Sequence, residues 1–244
     1  MKNIGVIGLG DMGSGIALNL IKNGFKVFGS DLLPARQEAF KKMGGSLEIS
    51  ISDIGKKCDA VFVMVMNGNQ AKSIIFDDDG LAKNMAKGST VILSATIKPS
   101  EAEEIGQLIK DTGIQFMDTP VSGGFPGAQS GTLTLMASAS EDVMSKNRDV
   151  LQVISSNIHH VGTEPGQGQT VKACLQSLIG AQFSATFEAA ALAAKAGIRG
   201  EVLHTVFSTS SAGCGIVNNA LQKIIDRQFE GTGSHINTMH KDLT

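Results

Sequence analysis

An α/β fold with a mostly parallel sheet, followed by a long helix and a short all-α remainder, is predicted by three observations. Short apolar runs alternate with helical patterns of about ten residues from Ile4 to Asp118. One such run, Ala60–Val65, is apolar throughout, as a strand buried on both faces must be. Beyond residue 166 the strand pattern stops and helical periodicity takes over.

The elements follow in order. Ile4–Ile7 is a short strand that stops at Gly8. Ile16, Leu20 and Ile21 give one apolar face of a helix that ends at Gly24. Lys26–Ser30 is the second strand, and Pro34 opens the next helix at its first turn. Ala60–Val65 and Thr90–Ser94 are strands. Pro99 and Ser100 open a helix carrying Ile105, Leu108 and Ile109, which Gly113 closes. Gln115–Asp118 is a further strand, and His159 and His160 fall in another, with a structural role. Gln169–Ala196 reads as one proline-free helix ended by Gly197. Shorter helical patterns follow at Glu201–Phe207 and Ile216–Phe229. The division expected is therefore an α/β domain over 1–165, a connecting helix over 166–196 and a short all-α remainder over 197–244.

Composition narrows the function. With 21 basic and 23 acidic side chains, net charge −2, the chain has no electrostatic reason to bind nucleic acid or anionic lipid. There is no Tyr and no Trp, which excludes any mechanism needing a tyrosine acid and leaves only Phe for base stacking. Cys58, Cys174 and Cys214 are far apart, which argues against a disulfide scaffold or a structural zinc and suits a reducing compartment. The apolar start is broken by Gly5, Gly8 and Gly10, too short for a signal peptide, and no run is long enough to span a membrane. A cytoplasmic protein without a metal site is expected.

Three segments carry chemistry. The first is Gly8-Leu9-Gly10-Asp11-Met12-Gly13, placed directly after a strand and opening a helix. Gly8 makes the tight turn, Gly10 lets a pyrophosphate approach the backbone, and Gly13 lets helix and strand pack closely. The helix N-terminus offers N–H groups to phosphate. This is the fingerprint of a Rossmann-type domain, the alternative being a tight strand–helix turn that holds no ligand. Asp31 stands after the second strand, where a carboxylate accepts ribose hydroxyls and repels a 2′-phosphate, so NAD is favoured over NADP. Arg36 is either a solvated surface arginine or a contact on the adenosine side.

The second segment runs from Asp118 to Ala128 at the carboxyl edge of the sheet. Ser122, Gly123 and Gly124 expose successive backbone N–H groups and a hydroxyl. They form either a carboxylate cradle or a glycine-rich loop that merely turns the chain. The third is Lys172, with Gln176 one turn later on the same helix face. A lysine is usually solvated, but Val171, Ala173, Cys174, Leu175 and Leu178 flank this one and predict burial. A buried lysine can act as acid or base near neutral pH.

Taken together, these segments resemble the β-hydroxyacid dehydrogenase family, whose members include 3-hydroxyisobutyrate, tartronate semialdehyde and L-threonate dehydrogenases. The matches run in order: Ile4 to Gly13, the loop from Asp118 to Thr134, the glycine loop with its Lys172, and Lys241-Asp242-Leu243. Two positions depart from the pattern: Met66 stands where the family usually has Pro, and Leu175-Gln176 replaces an Asn pair. The resemblance also implies several further helices after Lys241-Asp242-Leu243, so the chain is a fragment, a natural truncation or part of a longer polypeptide.

The resemblance implies roles. Ser122, Gly123 and Gly124 hold a substrate carboxylate, and Gln176 offers the substrate an amide. Lys172 is the general acid/base, kept neutral by desolvation and by the positive nicotinamide ring. Gly8, Leu9, Gly10, Asp11, Met12, Gly13 and Asp31 bind the cofactor. Val65, Met66 and Thr96 line its nicotinamide-ribose side and Lys241 closes over it. The expected activity is NAD-dependent interconversion of a small β-hydroxy acid and its semialdehyde or keto acid, in a homo-oligomer. The alternative is an inactive nucleotide-binding relative, against which the retention of Lys172 and the Ser122 loop weighs.

Overall fold

The structure is a computed structural model that describes residues 2–48, 50–230 and 236–243. It divides into two compact units, Met1–Lys172 and Ala173–Thr244.

Among the described residues, the first unit is a nine-stranded sheet with helices on both faces. Its strands are β1 (Asn3–Ile7), β2 (Lys26–Ser30), β3 (Ser46–Leu47), β4 (Ala60–Val63), β5 (Thr90–Leu93), β6 (Gln115–Asp118), β7 (Val121–Ser122), β8 (Leu133–Ser138) and β9 (Ser155–Gly162). Its helices are α1 (Asp11–Lys22), α2 (Pro34–Lys42), α3 (Ile51–Lys57), α4 (Gly68–Phe76), α5 (Leu81–Asn84), α6 (Pro99–Ile109), α7 (Gly124–Ser130) and α8 (Glu141–Gln152). The strand order is β3-β2-β1-β4-β5-β6-β8-β7, with β9 also paired to β8. Every pairing from β3 to β6 is parallel. The direction reverses at β8, which runs antiparallel to β6 and β7 and parallel to β9.

Alternation along the central strands builds two cores. Ile4 and Val6 of β1 and Phe62 of β4 face one side with Ile16 and Leu20 of α1 and Val150 of α8. Val61 and Val63 of β4 face the other with Ile54, Ile75 and Ile105 of α3, α4 and α6. These side chains are essentially fully buried. A strand covered on both faces has no polar side, and for that reason these runs lack period-two alternation.

The strands predicted from sequence are present, with small trims. β4 ends at Val63, so Val65 lies in the loop beyond it. The predicted Gly-rich loop after Asp118 is partly regular. It forms the two-residue strand β7 and the short helix α7, then leads into β8, α8 and β9, of which sequence reading found only the histidines in β9.

Asn19 shows why α7 forms. Buried on α1, its Nδ2 donates to the carbonyl oxygens of Gly15 at 2.9 Å, Ala128 at 2.8 Å and Gln129 at 3.3 Å. Tertiary capping of this kind rescues a segment whose Gly and Pro content disfavours a helix.

The long helix α9 spans Gln167–Lys195, starting two residues earlier than predicted. Its first residues belong with the sheet unit and the rest with the second. The second unit continues as α10 (Gly200–Thr209), α11 (Gly215–Ile225) and α12 (Ile236–Leu243). α11 stops short of the predicted Phe229 because Arg227 adopts a left-handed φ of 53°, and its N–H turns back to the Ile224 carbonyl. Val217, Ala220 and Leu221 are its buried side chains. Among the described residues, no helix is long and apolar enough to cross a membrane, and no group of three His, Cys, Asp or Glu side chains is disposed to hold a metal ion.

Candidate active site

Parallel strands end at one edge, and the loops leaving β1, β2, β4, β5 and β6 gather there. The glycine turn after β1 is built for close approach. Gly8 has φ 92°. A Cβ on Gly8 would overlap the Met64 carbonyl, and one on Gly13 would overlap the Gly8 carbonyl. The loop after β4 is thereby packed on the turn, which brings Val65 beside it. Gly10 is the N-cap of α1, and no side chain caps the helix's first N–H groups. A turn without side chains, opening an uncapped helix, fits a dinucleotide diphosphate.

Asp31 is nearly buried, and both its oxygens are engaged. Oδ2 accepts the Leu9 N–H at 2.7 Å and Oδ1 the Leu33 N–H at 2.9 Å. The carboxylate thus ties the glycine turn to the start of α2. Arg36 on α2 is not simply solvated. Its Nη1 lies 3.5 Å from Asp31 Oδ2, and its guanidinium stands beside Gly10. Met66 is exposed, with its N–H donated to Gln70 Oε1 at 2.9 Å, and Thr96 is half-buried beyond β5.

The segment leaving β6 turns at Gly123 and Gly124, where the φ of 129° demands glycine and that of 59° favours it. Ser122 is half-buried at the end of β7, and both glycines are exposed.

Asp118 itself has no exposed surface. Its Oδ2 accepts the N–H groups of Gly166 at 3.0 Å and Gln169 at 3.2 Å, and its Oδ1 accepts Gln169 Nε2 at 2.7 Å. Gln169 Nε2 also donates to the Ala95 carbonyl at 3.0 Å, while its Oε1 accepts the Ile97 N–H at 3.1 Å. Burial pushes the Asp118 carboxyl up to about 6, against the lowering effect of the Gln169, Gly166 and Gly168 donors. The end of β6, the Thr96 segment and the first turn of α9 therefore meet at two buried side chains.

Lys172 is buried, at 6% exposure, but the predicted reason was wrong in part. Val171 and Leu178 are exposed, and so is Cys174. The buried positions are instead Gln169, Lys172 and Gln176, which follow helical spacing along one face of α9. In the second unit, Gln176 Nε2 donates to Asp242 Oδ2 at 2.7 Å, and Lys241 Nζ pairs with Asp242 Oδ1 at 2.7 Å. One carboxylate thus joins two residues predicted to serve substrate and cofactor.

Comparison with known proteins agrees with this geometry. Residues 3–162 match the family model of the NAD binding domain of 6-phosphogluconate dehydrogenase. Residues 166–244 match the model described as NAD-binding of NADP-dependent 3-hydroxyisobutyrate dehydrogenase. The L-threonate dehydrogenase of Cupriavidus necator is 35% identical over 242 residues, covering 99% of this chain and 81% of that protein. The chain belongs to the β-hydroxyacid dehydrogenase family. The L-threonate dehydrogenase of Escherichia coli O6:H1 is 33% identical, with 99% and 80% covered. The crystal structure of a 3-hydroxyisobutyrate dehydrogenase from Salmonella typhimurium superposes with a TM-score of 0.88 at 32% identity, over 99% of this chain and 84% of that one. The protein is an NAD(P)-dependent hydroxyacid dehydrogenase.

Sequence reading assigned no role to the Asp118 carboxylate, to Gln169 or to Asn19, although all three build the surroundings of the site. A polar residue at the end of a buried strand, and an amide inside a glycine-rich helix start, were the signals.

Because Asp118 is harder to ionise in the folded chain than in the unfolded one, its contribution to stability is complete below the ordinary carboxylate value of 3.8 and is lost as pH rises through about 6. Urea unfolding at pH 5 and pH 7 reads this directly. We expect wild type to lose roughly 1 kcal/mol relative to Asp118→Asn between those pH values. Parallel pH dependence in the two proteins would contradict it.

Proposed function

We propose that the chain oxidises a small polyhydroxylated acid of the L-threonate type with NAD, using Lys172 as the acid–base group. The observation that carries the reading is the burial of Lys172, on a helix start fixed to the ends of β5 and β6 through Gln169 and Asp118. A lysine in that position is a poor surface residue and a good proton acceptor for a bound hydroxyl.

In this reading, the turn from Gly8 to Gly13 and the first N–H groups of α1 hold the diphosphate. Asp31 serves the adenosine ribose. Val65, Met66 and Thr96 line the nicotinamide-ribose side, and Lys241 serves the cofactor from α12. When bound, the dinucleotide supplies the hydride acceptor. Ser122, Gly123 and Gly124 hold the substrate carboxylate with a hydroxyl and backbone N–H groups. Lys172 Nζ takes the hydroxyl proton as the carbonyl forms, and returns a proton in the reverse direction. The exposed side chains of Phe187, Leu192 and Val206 suit a second copy of the chain, and sedimentation velocity at micromolar concentration reads that assembly.

Asp31 also supports NAD over NADP. Its charge stands where a 2′-phosphate would approach, and Arg36 offsets it only in part at 3.5 Å. Fluorescence titration of wild type, Asp31→Ala and Lys172→Ala with NADH and NADPH, together with turnover assays, tests both assignments. We expect wild type to bind NADH about tenfold or more tightly than NADPH, a gap of ~1.4 kcal/mol, and Asp31→Ala to narrow it. Lys172→Ala is expected to bind NADH normally and to lose ~10²–10⁴-fold in kcat. Turnover within tenfold of wild type would transfer the proton step to another group.

The substrate argument rests on Gln176. With Nε2 donating to Asp242 Oδ2 and to Met239 Sδ, the amide offers Oε1 to a substrate hydroxyl. L-Threonate supplies such a hydroxyl, whereas 3-hydroxyisobutyrate has a methyl branch. A buried amide left unpaired discriminates strongly against the latter, and the threonate dehydrogenase relatives support the same choice. We expect kcat/KM to favour L-threonate in wild type and the preference to collapse in Gln176→Leu. A ratio indifferent to Gln176 would leave only the broader hydroxyacid reading.

A further inference from the structure

Asp118 and Gln169 form a hydrogen-bond network with a single direction. The Ile97 N–H can only donate, so the side of the Gln169 amide facing it must be Oε1. Nε2 then faces both the Ala95 carbonyl and Asp118 Oδ1. On the other side, the Gly166 and Gln169 N–H groups meet Asp118 Oδ2. Position 118 must therefore accept on both oxygens, which a carboxylate does and an amide of the same shape does not. Rotating Gln169 would set Nε2 against the Ile97 N–H and Oε1 against a carboxylate. Both side chains are almost wholly buried, at 0% and 1% exposure, so water cannot repair a mismatch.

We infer that Asp118 and Gln169 are positioning residues for the reaction: they fix the first turn of α9 to the Ala95–Ile97 segment and thereby hold Lys172 and Thr96 in register. The inference rests on the reading of Lys172 as acid–base group given above. Gln169 and Lys172 are three residues apart, hence neighbours about 4.5 Å apart along the helix axis. A shift of the first turn carries Lys172 with it. Misplacing a reacting group by about 1 Å can cost ~10²-fold in rate. A purely structural pair would behave differently: its loss would lower stability and leave the folded molecules with normal kcat.

The test uses the full chain with NAD and L-threonate, or 3-hydroxyisobutyrate if wild type turns it over faster. Asp118→Asn, Gln169→Glu, the double variant and Lys172→Ala are compared for kcat, KM and NADH affinity. In Gln169→Glu two carboxylates stand where the present pair lies 2.7 Å apart. In the double variant, the amide introduced at position 118 can donate to the carboxylate introduced at position 169. That carboxylate still accepts from Ile97, so on this side of the network only the Ala95 carbonyl loses its donor. We expect each single variant to lose about 10- to 100-fold in kcat, with NADH affinity within about threefold of wild type. The double variant should recover about tenfold over the worse single. Single variants that bind NADH and keep kcat within twofold overturn the inference, as does a double variant that binds NADH without recovery. If the charge-altering variants do not fold, Gln169→Asn decides. It keeps the amide but is too short to bridge Asp118 and the Ala95–Ile97 segment, and normal kcat in that protein refutes positioning. Lys172→Ala separates the two levels. If it stays active, the acid–base assignment falls and this inference with it. If it is inactive while the Asp118 and Gln169 variants match wild type, only the positioning role is lost.

Discussion

The burial of β1 between β2 and β4 is the constraint from which the site follows. Its apolar side chains are covered on both faces and its backbone is paired on both edges. A strand so enclosed can leave the sheet only at its end, and parallel pairing puts the ends of β2, β4 and β5 at the same edge. The chain must then turn into α1 within a few residues, against the Met64 carbonyl, which only a residue without a side chain allows. The glycine turn is thus a geometric product of the sheet.

Three nearly buried carboxylates do the rest of the fixing. Asp31 joins the glycine turn to α2, Asp118 joins β6 to α9, and within the second unit Asp242 joins α12 to Gln176. A carboxylate removed from water is costly unless its oxygens are filled by donors. Asp31 and Asp118 are filled by N–H groups from segments distant in sequence or at the far side of a turn, and Asp242 accepts from Gln176 beside the ammonium of its neighbour Lys241. The same penalty that makes burial expensive makes these junctions specific: a displaced segment leaves a charge unsatisfied.

The sequence reading was strongest where one local pattern has one structural answer. Uniformly apolar runs identified β1, β4 and β5, and glycine spacing after a strand identified the tight turn into α1. It was weakest for short or mixed elements. α3 and α4 are too brief for periodicity to register, although Ser50 and Asn67 cap them by accepting the Asp53 and Gln70 N–H groups, and such caps are readable. α7 contains glycine and proline and is helical because Asn19 holds it. β9 is polar and half-exposed, so it lacks the apolar signature. At the site, the burial of Lys172 was foreseen from neighbours of which several are in fact exposed. It lies instead in a buried polar stripe with Gln169 and Gln176, and hydrogen-bond partners across 48 or more residues leave no local trace.

The clamp between α1 and α7 bears on how such an enzyme diversifies. Asn19 Nδ2 donates only to backbone carbonyl oxygens, those of Gly15, Ala128 and Gln129. Every residue type carries that acceptor. The anchor therefore recognises the path of the α7 segment and is blind to its side chains. Residues around it can be exchanged one at a time while the segment stays docked on α1. Selection can thus vary this surface without reopening the problem of how the chain folds.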